Sequence, residues 1–410
     1  MRKFEIPVYY KSSIITRLKE HRNLLDLRKN DLSPTYLDFG SFDVYIPRHF
    51  GFCYGVQNAI EISYKTLEEN PDKRIFLLSE IIHNPIVNED LQFRGINFIL
   101  KPSGEQIIPW EEIKKNDIVI IPAFGTTVEI EKKLKELGLQ VEKYDTTCPF
   151  VEKVWNRAYS LGVKGFTIII HGKYKHEETR ATFSHSIQNS HSVIVLNLEE
   201  AKILGEIILG NIPPEKFFEY FQNKHSEGFN PLIHLDKIGV VNQTTMLASE
   251  TEEIANYFKS IMKEKYGEEN YKEHFADTSD TLCYATYDNQ EATIEALKYP
   301  ADFAIVVGGY NSSNTTHIAE LCKEKTKTYF ISSEEKILSR EEILHYDLNQ
   351  KKEILTKNYI PDKEKVSVIL TSGASCPDSV VERVLRKLHS LFPDAITIEQ
   401  AAERVFSTKN

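Results

Sequence analysis

The 410-residue chain is short of the residues that build disulfide-stapled, fibrous or disordered proteins. It has five cysteines, an odd number, with no Cys-x-x-Cys pair and gaps of 95, 135, 39 and 54 residues between successive ones. That spacing excludes a zinc ribbon and fits no disulfide framework, which leaves reduced thiols or a buried metal centre. Eighteen glycines and sixteen prolines make about 8% of the chain, below the usual ~12%, and exclude collagen-like and linker-dominated architectures. Basic charge is scarce too: 50 Lys and Arg face 60 Asp and Glu, a net charge of −10. The footprint of a duplex-binding protein is missing, so no nucleic-acid partner is expected, whereas a small phosphate-bearing molecule needs only a local pocket.

Long apolar runs are absent as well. Phe166 to Ile170 and Phe303 to Val307 are strand-sized, far below the roughly 20 residues of a membrane helix, so no membrane partner is expected. The start, Met1-Arg2-Lys3-Phe4-Glu5, lacks the apolar stretch of a secretory signal, and Glu5 and Glu20 fit a transit peptide poorly. A cytoplasmic location is the resulting expectation.

What the chain does contain, from residue 40 onward, is a repeating unit. A short β-branched run is followed by a small or polar loop and then by a segment with helical apolar spacing. The runs include Asp43 to Ile46, Asp117 to Ile121, Phe166 to Ile170, Lys237 to Val241, Phe303 to Val307 and Val366 to Leu370. Such alternation predicts an α/β fold of mostly parallel sheets, with ligands outside the carboxyl ends of the strands. Three units start with a cysteine directly ahead of a helix: Cys53, Cys148 and Cys283. The expected organisation is an N-terminal extension, 1–40, helical and lying on the surface, then three similar α/β domains, 41–147, 148–281 and 282–410. The first strand and the Cys53 loop are candidates to pack with the third domain. Segments 205–235 and 333–362, rich in charge, read as peripheral.

A helix N-terminus favours the thiolate that binds iron. One cysteine from each domain can therefore meet the others at a shared 4Fe-4S cluster, with one iron left open for substrate. The plain alternative is that each is a small buried hydrophobe. Cys322 lies on an apolar helical stripe and reads as core. Cys376, after Ser375 in a post-strand loop, competes as ligand or nucleophile. A cysteine-nucleophile or zinc hydrolase using Cys376 or Cys148 with His176 and Glu178 stays open, as does a non-catalytic iron-sulfur redox protein. His176-Glu177-Glu178 contains the His-x-Glu of zinc deaminases, but the Pro-Cys-x-x-Cys partner is missing. For an anion, the candidate donors are His83, His176, Ser312, Ser313, Asn314 and Ser375, each of which can also be an ordinary turn or helix cap.

Eight motifs occur in order over residues 43–390. They include Gly51-Phe52-Cys53-Tyr54-Gly55-Val56, Ile82-His83-Asn84-Pro85, Asp145-Thr146-Thr147-Cys148-Pro149, His176-Glu177-Glu178-Thr179 and Asn242-Gln243-Thr244-Thr245-Met246. Cys283-Tyr284-Ala285-Thr286, Gly309-Tyr310-Asn311-Ser312-Ser313-Asn314 and Ser372-Gly373-Ala374-Ser375 complete the set. Together they resemble the LytB/IspH family of 4-hydroxy-3-methylbut-2-enyl diphosphate reductases. The resemblance implies three α/β domains around a pseudo-threefold axis and one 4Fe-4S cluster with three Cys ligands, Cys53, Cys148 and Cys283, and one open iron. It further implies an allylic diphosphate substrate, held by His83, His176, Thr244, Ser312, Ser313, Asn314 and Ser375. The reaction it implies is two-electron reductive removal of the allylic hydroxyl, with electrons from a reduced ferredoxin or flavodoxin-like donor. Glu178 and Thr244 are then the catalytic pair that handles protons. In an extended loop, Glu178 faces the site with a raised pKa and Glu177 turns away.

Two departures from the family pattern stand out. Ala123-Phe124-Gly125 occupies the loop where many bacterial members carry a histidine, so that histidine's role cannot be transferred. Cys376 stands where another small residue is usual and is expected to be non-liganding and oxidisable. Phe124, the N-terminal extension and His171-Gly172-Lys173-Tyr174-Lys175-His176 resemble the plant and cyanobacterial branch.

Overall fold

Continuous β-branched runs bury a strand on both faces, which suits a parallel sheet covered by helices. The computed structural model, which describes residues 4–28, 30–278 and 281–407, has this arrangement. Thr167–His171, Ile238–Asn242 and Phe303–Val307 are buried at every position. They form the interior of two sheets. One is five-stranded, in the order Thr35–Asp38, Phe42–Ile46, Val366–Ser372, Phe303–Val307, Lys327–Ile331; only its first pairing is antiparallel. The other is four-stranded and parallel, in the order Ser192–Val195, Thr167–His171, Ile238–Asn242, Phe275–Ala276. A third, three-stranded parallel sheet orders Asn97–Phe98, Ile75–Leu77 and Ile118–Ile120.

The chain divides into two compact units. The first consists of the segment ending at Gln57, His83–Val87 and the segment from Tyr284 onward, and it carries the five-stranded sheet. The second consists of Asn58–Ile82 and Asn88–Cys283 and carries the other two sheets. Among the described residues, no helix is long and apolar enough to cross a membrane.

Three segments differ from their sequence reading. The N-terminal extension has its expected helix, Ile15–Leu25, but also supplies the edge strand Thr35–Asp38, and it buries Ile14, Ile15 and Leu18 in the core of the five-stranded sheet. Residues 205–235 are not peripheral: Phe217, Phe221 and Phe229 are buried, with Phe217 stacked on the other two rings. Their spacing is hidden by interleaved charges. Residues 333–362 form the hairpin Glu342–Asp347/Lys352–Lys357 and bury Ile343, Tyr359 and Ile360. Only one face of that ribbon meets the core, so its sequence reads as polar. The cysteine-headed helices begin sooner than their apolar spacing suggests, at Tyr54–Glu69, Pro149–Gly162 and Tyr284–Ala296. Asp280, at the head of the Cys283 loop, lies outside the described residues.

Candidate functional site

In the second unit the polar residues gather at the carboxyl ends of Thr167–His171 and Ile238–Asn242. The chain leaves the first strand through Gly172 and enters the helix Glu177–Ser186, with His176 as its N-cap. The Nδ1 of His176 accepts the backbone N–H of Glu178 at 3.2 Å. A neutral imidazole in that role carries its proton on Nε2, which makes that nitrogen a donor. The residues around Glu178 are therefore helical rather than extended, and the expected alternation fails: both glutamates are buried. Glu178, 1% exposed, accepts the backbone N–H of Thr244 on Oε1. Glu177 instead accepts the hydroxyl of Ser79. The structure thus brings together the pair assigned to proton handling and gives the neighbouring glutamate a separate structural partner.

Gln243 fixes this arrangement. Its side-chain oxygen accepts the N–H of Lys173 at 3.1 Å and the hydroxyl of Thr179 at 2.9 Å, while its amide donates to Thr245. Two post-strand loops are locked by one amide. Phe124 meets the His176 ring edge-on, with centroids 5.8 Å apart.

Cys148 is the N-cap of Pro149–Gly162, where Pro149 at the first helical position needs no N–H partner. Its own N–H bonds the carbonyl of Ala123 at 3.0 Å, and Asp145 upstream accepts the N–H of Thr147 at 2.8 Å. Cys283 precedes Tyr284–Ala296, and its approach is tied down by Thr281, whose hydroxyl donates to Asn242 Oδ1 at 2.9 Å.

The first unit holds the remaining candidates. Ser312 caps the helix Ser313–Lys325: its Oγ accepts the N–H of Thr315 at 3.3 Å and the Thr315 hydroxyl at 2.9 Å. Ser375 Oγ lies 3.4 Å from Ser312 Oγ and donates to the carbonyl of His83 at 3.2 Å. His83 Nδ1 faces the Asn311 amide nitrogen at 3.4 Å. The Asn314 side-chain oxygen accepts the N–H of Ala374 at 2.7 Å, and the Asn84 amide donates to the carbonyl of Ser375 at 2.8 Å. Close approach needs missing side chains: a Cβ on Gly373 would stand 1.9 Å from Thr315 Oγ1, and one on Gly309 would stand 2.5 Å from the His83 carbonyl. Ser313 Oγ and Asn314 Nδ2 are buried with no hydrogen-bond partner among the described residues. Two buried donors left this way fit an anion at the first turn of a helix.

The cysteines separate into two classes. Cys53, Cys148 and Cys283 are part-exposed and each heads a helix. Cys53 donates its N–H to the carbonyl of Ala374 at 3.2 Å. Cys322 and Cys376 are buried, and desolvation pushes both thiols up to about 12. Cys322 is the core residue expected. Cys376 is sealed in the apolar core, which corrects the expectation of an oxidisable residue and removes it as a nucleophile. A thiolate donor set at helix starts fits an iron-sulfur group. Cys53 belongs to one unit and Cys148 and Cys283 to the other. Within either unit, among the described residues, no three His, Cys, Asp or Glu side chains are grouped to hold a metal ion.

The roles of Ser79, Thr281 and Asn311 as partners were not read from the sequence. The signal for Asn311 was present, since it stands inside the Gly309 to Asn314 motif.

The LytB protein family model matches residues 44–389. A 4-hydroxy-3-methylbut-2-enyl diphosphate reductase of Microcystis aeruginosa is 41% identical over 380 residues, covering 92% of this chain and 89% of its own. A solved (E)-4-hydroxy-3-methyl-but-2-enyl diphosphate reductase, described as the terminal enzyme of the non-mevalonate pathway, is 26% identical. It aligns with a TM-score of 0.51 over 85% of this chain and 99% of its own. The E-1-hydroxy-2-methyl-but-2-enyl-4-diphosphate reductase of Plasmodium falciparum, 23% identical, shares the fold with a TM-score of 0.60 over 86% of this chain and 89% of its own.

Proposed function

The chain belongs to the LytB family, and from this we propose that it reduces 4-hydroxy-3-methylbut-2-enyl diphosphate to isopentenyl and dimethylallyl diphosphate, the last step of the non-mevalonate isoprenoid pathway. The observation that carries the reading is the division of the cysteines: three part-exposed ones start helices and two are sealed in the core. In this reading Cys53, Cys148 and Cys283 hold one 4Fe-4S cluster with one iron left open, and the chain forms three α/β domains, 41–147, 148–281 and 282–410, with the first strand, Phe42–Ile46, and the Cys53 loop packing with the third, whose sheet that strand joins. The cluster, when bound, supplies electrons received from a reduced ferredoxin or flavodoxin-like donor, together with Lewis acidity.

The protein's own groups bind, orient and protonate. Ser313 and Asn314, in the first turn of their helix, offer buried donors to the diphosphate, supported by Ser312 and Ser375. His83 and His176 add Nε2–H donors, because Asn311 and the Glu178 N–H occupy their Nδ1 sides. Glu178 is the proton donor: with Oε1 accepting the Thr244 N–H, a protonated carboxyl carries its hydrogen on Oε2. Thr244 positions that carboxyl through its backbone and offers its hydroxyl to the substrate oxygen. Loss of the hydroxyl as water and protonation of the allyl carbanion at either end account for the two products.

The burial of Cys376 weighs against a hydrolase that uses it as nucleophile. Anaerobic purification, iron and acid-labile sulfide analysis, and turnover of the hydroxylated diphosphate by chemically reduced protein test the reading. A colourless, iron-free protein without turnover would sink it.

A further inference from the structure

The helix Ile15–Leu25 lies outside every motif that marks the site, yet one of its side chains reaches the loop of a candidate ligand. Lys19 Nζ donates to the carbonyl of Phe50 at 2.8 Å and lies 3.9 Å over the Phe50 ring. The same ammonium pairs with Asp378, the first residue of the helix Asp378–His389. Phe50 is three residues before Cys53, and Asp378 is three residues after Ser375. One cation therefore joins the two post-strand loops that also share the bond from the Cys53 N–H to the carbonyl of Ala374.

Four further features mark this as a built contact. Gly51 has φ +74°, and a Cβ there would stand 2.8 Å from both Lys19 Nζ and Asp378 Oδ1, so the backbone beside Phe50 is pressed onto the ion pair. Thr16, on the same helix, donates its hydroxyl to the other Asp378 oxygen at 3.2 Å. The helix itself is anchored by Glu382, which accepts from the hydroxyls of Ser12 and Ser13 and the N–H of Ile14. Both partners of the Lys19 pair are largely shielded, with side chains 22% and 16% exposed, so the pair is not a freely solvated surface bridge.

We propose that Lys19 is a positioning residue for Cys53: it holds the Phe50–Cys53 turn against the start of the Asp378 helix, so that the thiol is presented in one place before iron is bound. This rests on the reading of Cys53 as a cluster ligand. It gives the N-terminal extension a task in cofactor retention.

The test uses full-length protein with Lys19→Met, which keeps the aliphatic stem and removes the charge. Lys19→Arg serves as the conservative restoration, and Arg17→Met, on the exposed pair with Glu403, as the control. Hydrogen exchange of residues 49–53 in Lys19→Met should quicken about tenfold, the scale of a lost charge-assisted bond. Chelator-driven bleaching of the reconstituted cluster should quicken about tenfold as well, with the spectrum unchanged in shape. Lys19→Arg should recover most of both, and Arg17→Met should match wild type. Exchange and bleaching at wild-type rates in Lys19→Met, or equal acceleration in Arg17→Met, would overturn the proposal. Should Lys19→Met fail to fold, Asp378→Asn removes the pair and leaves the Phe50 bond, and wild-type exchange there would overturn it equally. Absence of iron in wild type counts against the functional reading, whereas the exchange measurement needs no cluster and judges Lys19 by itself.

Discussion

Cys148 and Cys376 occur in nearly the same local sequence, Thr147-Cys148-Pro149 and Ser375-Cys376-Pro377, each ahead of a helix. Their environments are opposite. The first helix starts at Pro149, which makes Cys148 its N-cap and leaves the thiol part-exposed. The second starts at Asp378, with Pro377 as N-cap, so that Cys376 falls one position earlier and joins Val380 and Val381 in the apolar core. That earlier position is the one from which an apolar side chain packs back onto the first turn of its helix. A single residue of offset at a helix start thus decides between a part-exposed thiol and a core side chain.

The largest effect that can break this comparison is loss of iron. Cys148→Ser, like Cys53→Ser and Cys283→Ser, should leave a protein that cannot retain its cluster. Cys376→Ser and Cys322→Ser should keep the iron, while Cys376→Ser loses about 1 kcal/mol by exchanging a buried thiol for a more polar hydroxyl that keeps a bond to the Pro377 carbonyl. Iron analysis beside thermal unfolding separates the two outcomes; iron lost from Cys376→Ser would show that the offset does not matter.

The same offset is tested at the helix Glu177–Ser186. Glu178→Gln should slow turnover by about 10² or more while substrate still binds, the usual scale for a lost general acid. Glu177→Gln should act mainly on stability, at about 1 kcal/mol, because its carboxylate serves Ser79. Anaerobic single-turnover assays and melting curves on both variants decide the matter, and equal kinetic damage would place the proton elsewhere.

Ser312 and Ser313 give a smaller version. Ser312→Ala removes a helix cap and should cost about 1 kcal/mol of stability. Ser313→Ala, whose hydroxyl caps nothing, should instead raise the substrate concentration needed for half-maximal rate. His176→Asn keeps a residue that caps well and should weaken diphosphate binding with the cluster spectrum intact; bleaching there would make His176 a metal ligand.

The smallest effect lies on the Cys376 side. Burial alone would raise the Glu382 carboxyl, but the Ser12 hydroxyl, Arg386 and the Ile14 N–H outweigh it and hold the group below its ordinary 4.5. A carboxyl depressed on folding stabilises at neutral pH, and that contribution fades as pH falls from the ordinary value of 4.5 through the lower folded one. Protection of the helix Ile15–Leu25 against hydrogen exchange, taken relative to the intrinsic rate at each pH, should therefore fall as pH drops below the ordinary carboxylate range, and Glu382→Gln should abolish that pH dependence.

Much of the fold was readable because a fully buried parallel strand must be apolar throughout. Phe303–Val307 has the expected bounds, and Thr167–His171 and Ile238–Asn242 differ from them by one residue. Asn97–Phe98 and Phe275–Ala276 were missed because two residues carry no period. Thr35–Asp38 and the hairpin at 342–357 were missed because half their side chains face away from the core. The ordered motifs contain most of the side chains that the structure brings together within each unit, such as Glu178 with Thr244 and Ser312 with Ser375. They did not reveal that Glu177 and Glu178 lie in a helix, nor that Lys19 reaches the Phe50 carbonyl.

Sequence alone determined which chemical groups are present, in what order, and that they follow parallel strands, since those properties follow from composition and periodicity within single elements. Tertiary structure decided the rest: that Cys376 is buried, that the Thr244 N–H is directed at Glu178, and that a lysine 34 residues ahead of Cys53 holds its loop. Each of these depends on where a helix begins or on contacts between segments distant in sequence. No local pattern encodes them, because burial and hydrogen-bond direction are set by what packs opposite.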